Sequence, residues 1–420
     1  MAFAGTRGDV EIGVAIGREL GRRGHDVRIA VSPDFVSFAT SRGLNALPYG
    51  PDSQDLLSAD FGANLYEDFP HIIWRPKDLS RMWHEYSEFV SDCWTELSST
   101  LASLAEGSDI IVSGLLFEDG AANIAEHFNL PFVTLHYSPV RSSGDLPMRL
   151  PRAWRRSVMT TLELIARAVF GRFEDRQRRE LGLPKAKGPA TRRITKRGAL
   201  EIQAYEEVCF PGLASDWSRL AEQRPFVGTI TLESPTGDDE KVASWIAAGT
   251  KPICFAFGSM VIEASADTIA MISSACAELG QRALVCSGSS DFSSIIVPDH
   301  ILVVGIVNYA TVFPACLAVV HHGGAGTLAA CLRAGVPQLI LWAAPDRQMR
   351  GAAVKRLGVG TSRRYSRASW ESLSVDLRAI LTPKAVARAR EIATRTIQPA
   401  ESLSAAADLV EGCARARYSG

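Results

Sequence analysis

The sequence predicts an α/β protein with two domains, each built on a doubly wound parallel sheet. Short apolar runs, such as residues 251–257 and 301–304, alternate with amphipathic stretches of about 12 residues, the pattern of parallel strands joined by helices. A glycine-rich turn joins another apolar run to a helix within residues 318–335. A chain of 420 residues is long enough for two hydrophobic cores.

The composition is that of an ordinary globular protein, with 46% apolar and 22% charged residues. A net charge of −1 provides no field that would recruit nucleic acid. The eight cysteines form no CxxC pair, which favours reduced core thiols. Without a visible signal peptide or an apolar run of ~20 residues, we expect a cytoplasmic protein.

The amino-terminal half contains the runs expected of a first parallel sheet. A helix is predicted at residues 10–24, and strands at residues 1–4, 25–31, 43–48, 108–116, 130–136 and 200–210. The first strand is short, since ~5–6 residues are usual, and we expect the true start of the protein to lie upstream of Met1.

Two polar residues follow strands of this first sheet. Asp9 lies in the loop after the first strand, where a carboxylate either caps the following helix or acts as a general base. The residues alone favour the cap. His136 ends the strand at residues 130–136, and it either lines an acceptor cleft or is a satisfied structural histidine.

The carboxyl-terminal half predicts a second parallel sheet, with strands at residues 251–257, 283–287, 301–304, 317–320 and 338–342. We expect a first domain at 1–211, a linker at 212–237, a second domain at 238–390, and a helical tail at 391–420 that crosses back to the first domain. The acidic residues 238–240 precede a helix, and we interpret them as a cap and not as a metal site.

The glycine-rich turn follows a buried strand and precedes a helix that ends at Gly335. Such a turn directs backbone N–H groups towards an anion, and glycines allow the close approach. His321 could donate a further hydrogen bond to a phosphate oxygen. The pattern is neither GxGxxG nor GxxxxGK[ST], so the dinucleotide and P-loop interpretations lose support.

HHGGAGT at residues 321–327, followed by AGVPQLILW and Asp346, resembles the donor-binding segment of GT-B nucleotide-sugar glycosyltransferases. GTRGDVEIG at residues 5–13 extends the resemblance over nearly the whole chain. The branch holds glycopeptide-antibiotic, sterol and mycobacterial glycolipid transferases. Through RGHDVRIAV, YGPDSQ and ALEIQAY, the chain is most similar to the mycobacterial enzymes of surface-glycolipid assembly, of the glycopeptidolipid type.

The resemblance implies two facing Rossmann-like domains with a cleft, and an inverting, metal-independent glycosyltransferase without a cofactor. It favours Asp9 as the general base and His136, weakly, on the acceptor side. It implies that the donor is bound by Thr6, Arg7, Gly258, Ser259, Val307, His321, Gly323, Gly324, Ala325, Gly326, Thr327, Asp346 and Arg347.

The resemblance also suggests the substrates: a dTDP-deoxyhexose such as dTDP-rhamnose, or UDP-glucose, and a glycolipid, lipopeptide or other hydrophobic acceptor. Arg347 stands where relatives carry a glutamine that contacts the sugar. The resemblance therefore does not determine which donor sugar is preferred. Arg347 could contact the diphosphate instead, or Gln348 could replace the glutamine. A sugar-nucleotide epimerase or hydrolase of the same architecture, or a non-catalytic nucleotide- or lipid-binding homologue, are alternatives.

Residues 141–200 contain sixteen Lys or Arg against five Asp or Glu. Within them, Trp154, Val158, Leu162, Ile165 and Val169 recur at helical spacing. Such a helix either packs on the domain with a solvated basic face, the favoured interpretation, or contacts an anionic lipid surface. The second alternative would place the protein at the inner face of the plasma membrane through residues 152–169.

The membrane alternative predicts sedimentation with anionic vesicles, and loss of it when Arg152, Arg155 and Arg156 are changed to glutamate, because the attraction is electrostatic. Changing Arg172, Arg176 and Arg179 to glutamate alters the net charge equally and serves as the control. Vesicle binding that survives the first triple substitution would contradict the hypothesis.

Overall fold

A computed structural model describes residues 1–53, 93–141, 143, 152–232, 235–258, 260, 262, 264–288, 290–292 and 295–416. The chain forms two compact units. Unit 1 comprises Met1–Leu232 and Pro399–Gly420, and unit 2 comprises Glu233–Gln398. Each is described by itself.

Unit 1 contains a six-stranded sheet whose neighbouring strands are parallel. Its order is β3-β2-β1-β4-β5-β6, that of the dinucleotide-binding doubly wound fold. Residue Ala2 pairs with Ala30 on one side and with Ser113 on the other. The strands are β1 (Ala2–Phe3), β2 (Arg28–Val31), β3 (Asn45–Pro48), β4 (Ile111–Ser113), β5 (Phe132–His136) and β6 (Leu200–Gln203).

The helices of unit 1 flank this sheet. They are α1 (Arg7–Arg22), α2 (Val36–Ser41), α3 (Glu118–His127), α4 (Arg152–Glu180), α5 (Ala190–Lys196), α6 (Leu213–Asp216) and, from the end of the chain, α14 (Pro399–Ala416), with a further helical stretch at 93–105. The buried face of α1 joins the core through residues such as Val14 and Leu20, and α14 adds Ala406 and Val410 to the same core.

Unit 2 contains the second six-stranded parallel sheet, ordered β12-β11-β10-β7-β8-β9. Its strands are β7 (Ile253–Ala256), β8 (Ala283–Cys286), β9 (Ile301–Val304), β10 (Ala318–His321), β11 (Gln338–Trp342) and β12 (Gly360–Arg364). Strand β12 was not predicted, because its sequence GTSRR offers no apolar run. The predicted parallel, doubly wound fold class is confirmed for both sheets.

The helices of unit 2 are α7 (Asp239–Ala247), α8 (Ser265–Glu278), α9 (Tyr309–Val312), α10 (Ala325–Ala334), α11 (Pro345–Leu357), α12 (Trp370–Ile380) and α13 (Pro383–Ala393). The core of unit 2 combines the apolar strand residues with α8 and α12. Within the described part of the chain, no helix has the length and apolar character needed to cross a membrane.

The limits of the units differ from the expected domain boundaries. Residues 212–232, expected as a linker, pack in unit 1: Gln203 donates to the Pro225 carbonyl at 2.8 Å and accepts from the Val227 amide at 3.1 Å. At the other end, Arg333 donates to the Ile397 carbonyl at 3.0 Å, so residues after 390 still belong to unit 2. Neither boundary has the composition shift that would have revealed it.

Two glycines of α1 provide a matched test of this packing. A Cβ at Gly13 would lie 2.4 Å from the buried Phe3 ring, whereas a Cβ at Gly21 meets no atom within 4 Å. We expect Gly13→Ala to lower the free energy of unfolding by about 1–3 kcal/mol through overpacking. Gly21→Ala should raise it by up to about 1 kcal/mol through helix propensity. Chemical denaturation measures both, and equal effects would contradict the packing.

Candidate donor site

The carboxyl ends of β7 and β10 define the candidate site in unit 2. These two strands are neighbours although they are distant in sequence, so the strand order reverses between them. Open α/β sheets bind ligands at this reversal, outside the carboxyl ends of the strands. Gly258 follows β7, and the turn from His321 to Thr327 follows β10. The structure therefore brings these predicted residues together, while Ser259 lies outside the described residues.

Three glycines allow the backbone segments at this edge of the sheet to approach one another closely. Gly258, Gly288 and Gly323 all have positive φ, at +59°, +60° and +92°. A Cβ at Gly288 would lie 2.1 Å from the Gly258 carbonyl oxygen, and one at Gly258 would lie 2.5 Å from the ring of His322. Only glycine fits such positions without displacing backbone. Gly288, which follows β8, was not predicted as a site residue.

His321 does not have the predicted role of a phosphate donor. The residue is fully buried, its Nδ1 accepts from the Gly323 amide at 3.2 Å, and its Nε2 lies 2.9 Å from Gln338 Oε1. Because Nδ1 accepts, Nε2 carries the proton and donates it to Gln338. Both ring nitrogens are therefore used inside unit 2, and His321 holds the turn in shape instead of contacting a ligand directly.

Burial also sets the charge of both histidines. It lowers the pKa of His321 to about 4, although the bond to Gln338 acts in the opposite direction. Burial, followed by the charge of Arg347, lowers the pKa of His322 well below its usual value. The His322 ring lies against Gly258 and against Gly324, where a Cβ would be 2.6 Å from Nε2. At neutral pH both rings are uncharged.

The turn ends at the amino terminus of α10. Gly324 is the N-cap residue in extended conformation, and its carbonyl accepts from the Leu328 amide at 2.9 Å. Ala325, Gly326 and Thr327 form the first turn of α10, and the amides of a first turn have no partner within their own helix. Such amides and the helix dipole favour an anion. All four residues are those predicted for donor binding.

Helix α11 places Asp346 and Arg347 beside the same turn. A Cβ at Gly323 would lie 3.1 Å from Arg347 Cβ, so the two backbones are in contact. The Asp346 side chain is 51% exposed, and its Oδ2 accepts from Arg350 Nη1 at 2.8 Å. Arg350 also donates to the Gly323 carbonyl at 3.0 Å. Sequence reasoning did not identify Arg350. Its bond to Gly323 depends on the fold, whereas its pairing with Asp346 has the local i, i+4 spacing of a helix.

Val307, one of the residues predicted to bind the donor, lies in the loop after β9. Val307 is buried, and the next residue, Asn308, donates its amide to Asp239 Oδ1 at 2.8 Å. The Gly305 amide donates to Asp238 Oδ2 at 2.9 Å. The acidic residues before α7 therefore hold the β9 loop as well as the helix end. Within the described part of the chain, no three His, Cys, Asp or Glu side chains are grouped so that they could hold a metal ion.

In unit 1, Asp9 lies just after β1, where the strand order reverses between β1 and β4. Its Oδ2 accepts from the Thr6 amide at 2.7 Å and from Thr6 Oγ1 at 2.9 Å. These bonds form a capping box at the start of α1. The capping alternative is therefore present in the structure. Arg7 lies 3.6 Å from Glu11 and over the Phe38 ring.

His136 has the environment of a satisfied structural histidine, one of the two alternatives that its position in the sequence left open. It is fully buried, with Nε2 3.1 Å from Glu118 Oε2 and Nδ1 3.3 Å from Gln203 Nε2. Arg141 pairs with both Glu118 and Glu201 in the same buried cluster. Burial opposes ionisation of Glu118, but Arg141 and His136 outweigh it, so its pKa lies below its usual value.

The sequence did not reveal another carboxyl group of unit 1, that of Asp119. Asp119 opens α3 after β4, next to the strand that precedes Asp9. Burial and the charges of Glu174 and Glu118 raise its pKa to about 7. An acidic residue at the start of a helix gave no signal beyond an ordinary cap.

Residues 259–410 match the family model of the erythromycin biosynthesis protein CIII-like carboxyl-terminal domain. The whole chain is similar to an uncharacterized glycosyltransferase of Mycobacterium tuberculosis, at 50% identity over 99% of this chain and 98% of the relative. The chain belongs to the GT-B glycosyltransferases.

More distant relatives of this glycosyltransferase agree with that family. The vancomycin aglycone glucosyltransferase of Amycolatopsis orientalis is 26% identical over 94% of this chain and 92% of the relative. Among solved structures, the kitacinnamycin glycosyltransferase has a TM-score of 0.73 at 17% identity, and covers 98% of each chain. The glycosyltransferase VinC, solved in complex with dTDP, has a TM-score of 0.66 at 17% identity, over 99% of this chain and 98% of VinC.

The neutral state of His321 has a measurable consequence. An unfolded histidine has a pKa of about 6.5, whereas folding lowers that of His321 to about 4. The unfolded chain therefore binds more protons, and the unfolding free energy should fall as the pH drops from about 6.5 towards 4.

His321→Gln should reduce this fall of the unfolding free energy at low pH. His322 and His136 contribute to the same fall. The contribution of His321 is at most roughly 3.5 kcal/mol, from about 1.4 kcal/mol per pKa unit. Denaturation at several pH values measures it, and nitrogen NMR reports the Nε2-protonated form. A ring that titrates near pH 6.5 would contradict the buried geometry.

Proposed function

We propose that the protein is an inverting glycosyltransferase that moves a hexose or deoxyhexose from a nucleoside-diphosphate sugar to a hydroxyl group. The acceptor is a glycolipid, a lipopeptide or another hydrophobic molecule. Unit 2 binds the donor, and Asp9 of unit 1 removes the acceptor proton. No metal ion is required, because amides and arginines neutralise the diphosphate.

The observation that carries this proposal is the turn at the reversal point of the unit 2 sheet. The first-turn amides of α10, the glycine backbones and Arg347 all lie at one sheet edge. Peptide amides at a helix amino terminus suit a phosphate, and a guanidinium adds a permanent positive charge. Asp346, half-exposed next to them, is suited to accept hydrogen bonds from the hydroxyl groups of the sugar.

The reaction is a single displacement. The acceptor hydroxyl transfers its proton to the Asp9 carboxylate while its oxygen forms a bond to the anomeric carbon. The bond from that carbon to the diphosphate oxygen breaks, and its electron pair leaves with the diphosphate. Such a base typically contributes about 10²–10⁴-fold to the rate. Stabilisation of the leaving diphosphate by the turn acts at the same moment.

The proposed substrates are inferred from the proteins to which this chain is similar. VinC was solved with dTDP, which supports a thymidine nucleotide, and dTDP-rhamnose and UDP-glucose are the first donors to test. The resemblance to mycobacterial enzymes of surface-glycolipid assembly favours a role in glycolipid biosynthesis for the cell envelope. The side chains of the basic residues 152–156, which would contact a membrane, lie outside the described residues.

A donor and acceptor screen tests the function. Pure protein is incubated with dTDP-rhamnose, dTDP-glucose or UDP-glucose, with and without mycobacterial lipid extract, and products are analysed by mass spectrometry. Nucleoside diphosphate released only with extract, together with a lipid heavier by one sugar, is expected. Release or epimerisation without extract would instead indicate a hydrolase or epimerase, and binding without either would indicate a non-catalytic homologue.

The base assignment predicts that Asp9→Asn lowers kcat by about 10²–10⁴-fold, because the amide cannot take the proton. The amide oxygen still accepts from Thr6, so the capping box and the unfolding free energy should change little. Asp26→Asn, at an exposed position in the loop between α1 and β2, is the control and should leave kcat unchanged. Asp9→Asn activity within threefold of the unmodified enzyme would exclude Asp9 as the base.

The contact of Arg347 with the turn predicts a role in donor choice. Arg347→Gln should change the relative kcat/KM for the three sugar nucleotides, because it exchanges a charged donor for a neutral amide. Arg356→Gln, an exposed arginine of the same helix, is the matched control. An unchanged profile would show that Arg347 makes no donor contact, and a change in Gln348→Ala alone would assign the role to Gln348.

A further inference from the structure

Arg350 is a buried cation placed between two elements of the candidate donor site. Only 4% of the residue is exposed. Its Nη1 donates to the Gly323 carbonyl at 3.0 Å and to Asp346 Oδ2 at 2.8 Å. One nitrogen therefore joins the glycine turn that follows β10 to the carboxylate that opens α11.

The packing of α11 keeps Arg350 in this position. A Cβ at Gly351, the next residue, would lie 2.6 Å from the Ser362 side chain, so the helix lies directly on β12. On the turn side, the backbone of Gly323 is in contact with Arg347. With both sides of the helix fixed, the guanidinium of Arg350 has a defined orientation towards Gly323 and Asp346.

The bond from Arg350 determines the orientation of the Asp346 carboxylate. Oδ2 carries the Arg350 bond, and within the described part of the chain no side chain or amide donates to Oδ1. A charge-assisted hydrogen bond of 2.8 Å restricts the rotation of the carboxylate. Without it, a half-exposed aspartate would sample several rotamers, and ordering it would reduce the affinity for a sugar hydroxyl.

We infer that Arg350 is a positioning residue that fixes Asp346 relative to the diphosphate-binding turn, so that sugar recognition depends on an arginine that does not touch the sugar. This inference rests on the proposed function, because it assumes that Asp346 accepts a hydrogen bond from the donor sugar. It predicts that Arg350 and Asp346 act as one unit towards the sugar and not towards the nucleotide.

The experiment compares the binding of dTDP with that of dTDP-glucose by calorimetry. The dissociation constant of dTDP divided by that of dTDP-glucose isolates the contribution of the sugar. Arg350→Met should reduce this ratio about tenfold or more, the size expected for one charge-assisted hydrogen bond. Asp346→Asn should reduce it similarly, and the double variant should reduce it no further, because both substitutions remove the same contact.

Two further variants separate positioning from a purely structural role. Arg350→Lys keeps the charge and should restore part of the sugar contribution, and it also serves as the test if Arg350→Met does not fold. Arg356→Met, at an exposed position of the same helix, should leave both dissociation constants unchanged. Thermal unfolding of each variant shows whether a loss of binding reflects a loss of fold.

The outcomes distinguish this inference from the proposed function. Equal weakening of dTDP and dTDP-glucose by Arg350→Met, or losses that multiply in the double variant, would overturn the positioning role and leave the proposed function intact. If the unmodified protein binds neither dTDP and dTDP-glucose nor UDP and UDP-glucose, the proposed function itself fails.

Discussion

The candidate donor site depends on direct contact between peptide backbones at the carboxyl edge of the unit 2 sheet. The Gly258 carbonyl occupies the space of a side chain at Gly288, and the His322 ring occupies the space of side chains at Gly258 and Gly324. Because each of these groups fills the space beside the next, a shift of one group would displace its neighbour. The strand ends can therefore come close enough for backbone amides to serve as ligands, which a longer side chain at any of these positions would prevent.

The charges around the turn follow from the same close packing. Burial keeps His321 and His322 neutral, so the positive charge beside the turn comes from arginine: Arg347 lies next to Gly323, whereas the charge of Arg350 is balanced by Asp346. An arginine cannot lose its proton in a protein. The positive character of the turn is therefore permanent over the range in which histidines usually titrate, and the histidines contribute shape and hydrogen bonds instead of charge.

The sequence predicted the features that local patterns encode. Apolar runs between helical stretches gave eleven strands of the two parallel sheets, and the run of glycines after residue 320 gave the anion-binding turn. The polar strand β12 was missed because its pairing with β11, and not its own residues, makes it a strand. The hydrogen bond of His321 was not foreseen because its partner, Gln338, is 17 residues away on the next strand. Arg350 was missed because its partner Gly323 is 27 residues away.

The bonds that Thr6 donates to Asp9 have a counterpart in unit 2. Thr236 and Asp239 repeat the Thr-x-x-Asp pattern of Thr6 and Asp9, with the same 2.7 Å bond from the threonine amide.

The two Thr-x-x-Asp pairs differ in the carboxylate oxygens that they use. In Asp239 both carboxylate oxygens take part, Oδ2 with the Thr236 amide and Oδ1 with Thr236 Oγ1 and the Asn308 amide. In Asp9 the amide and the hydroxyl of Thr6 converge on Oδ2. The two bonds that Thr6 donates to a single oxygen therefore fix the orientation of the Asp9 carboxylate at the start of α1.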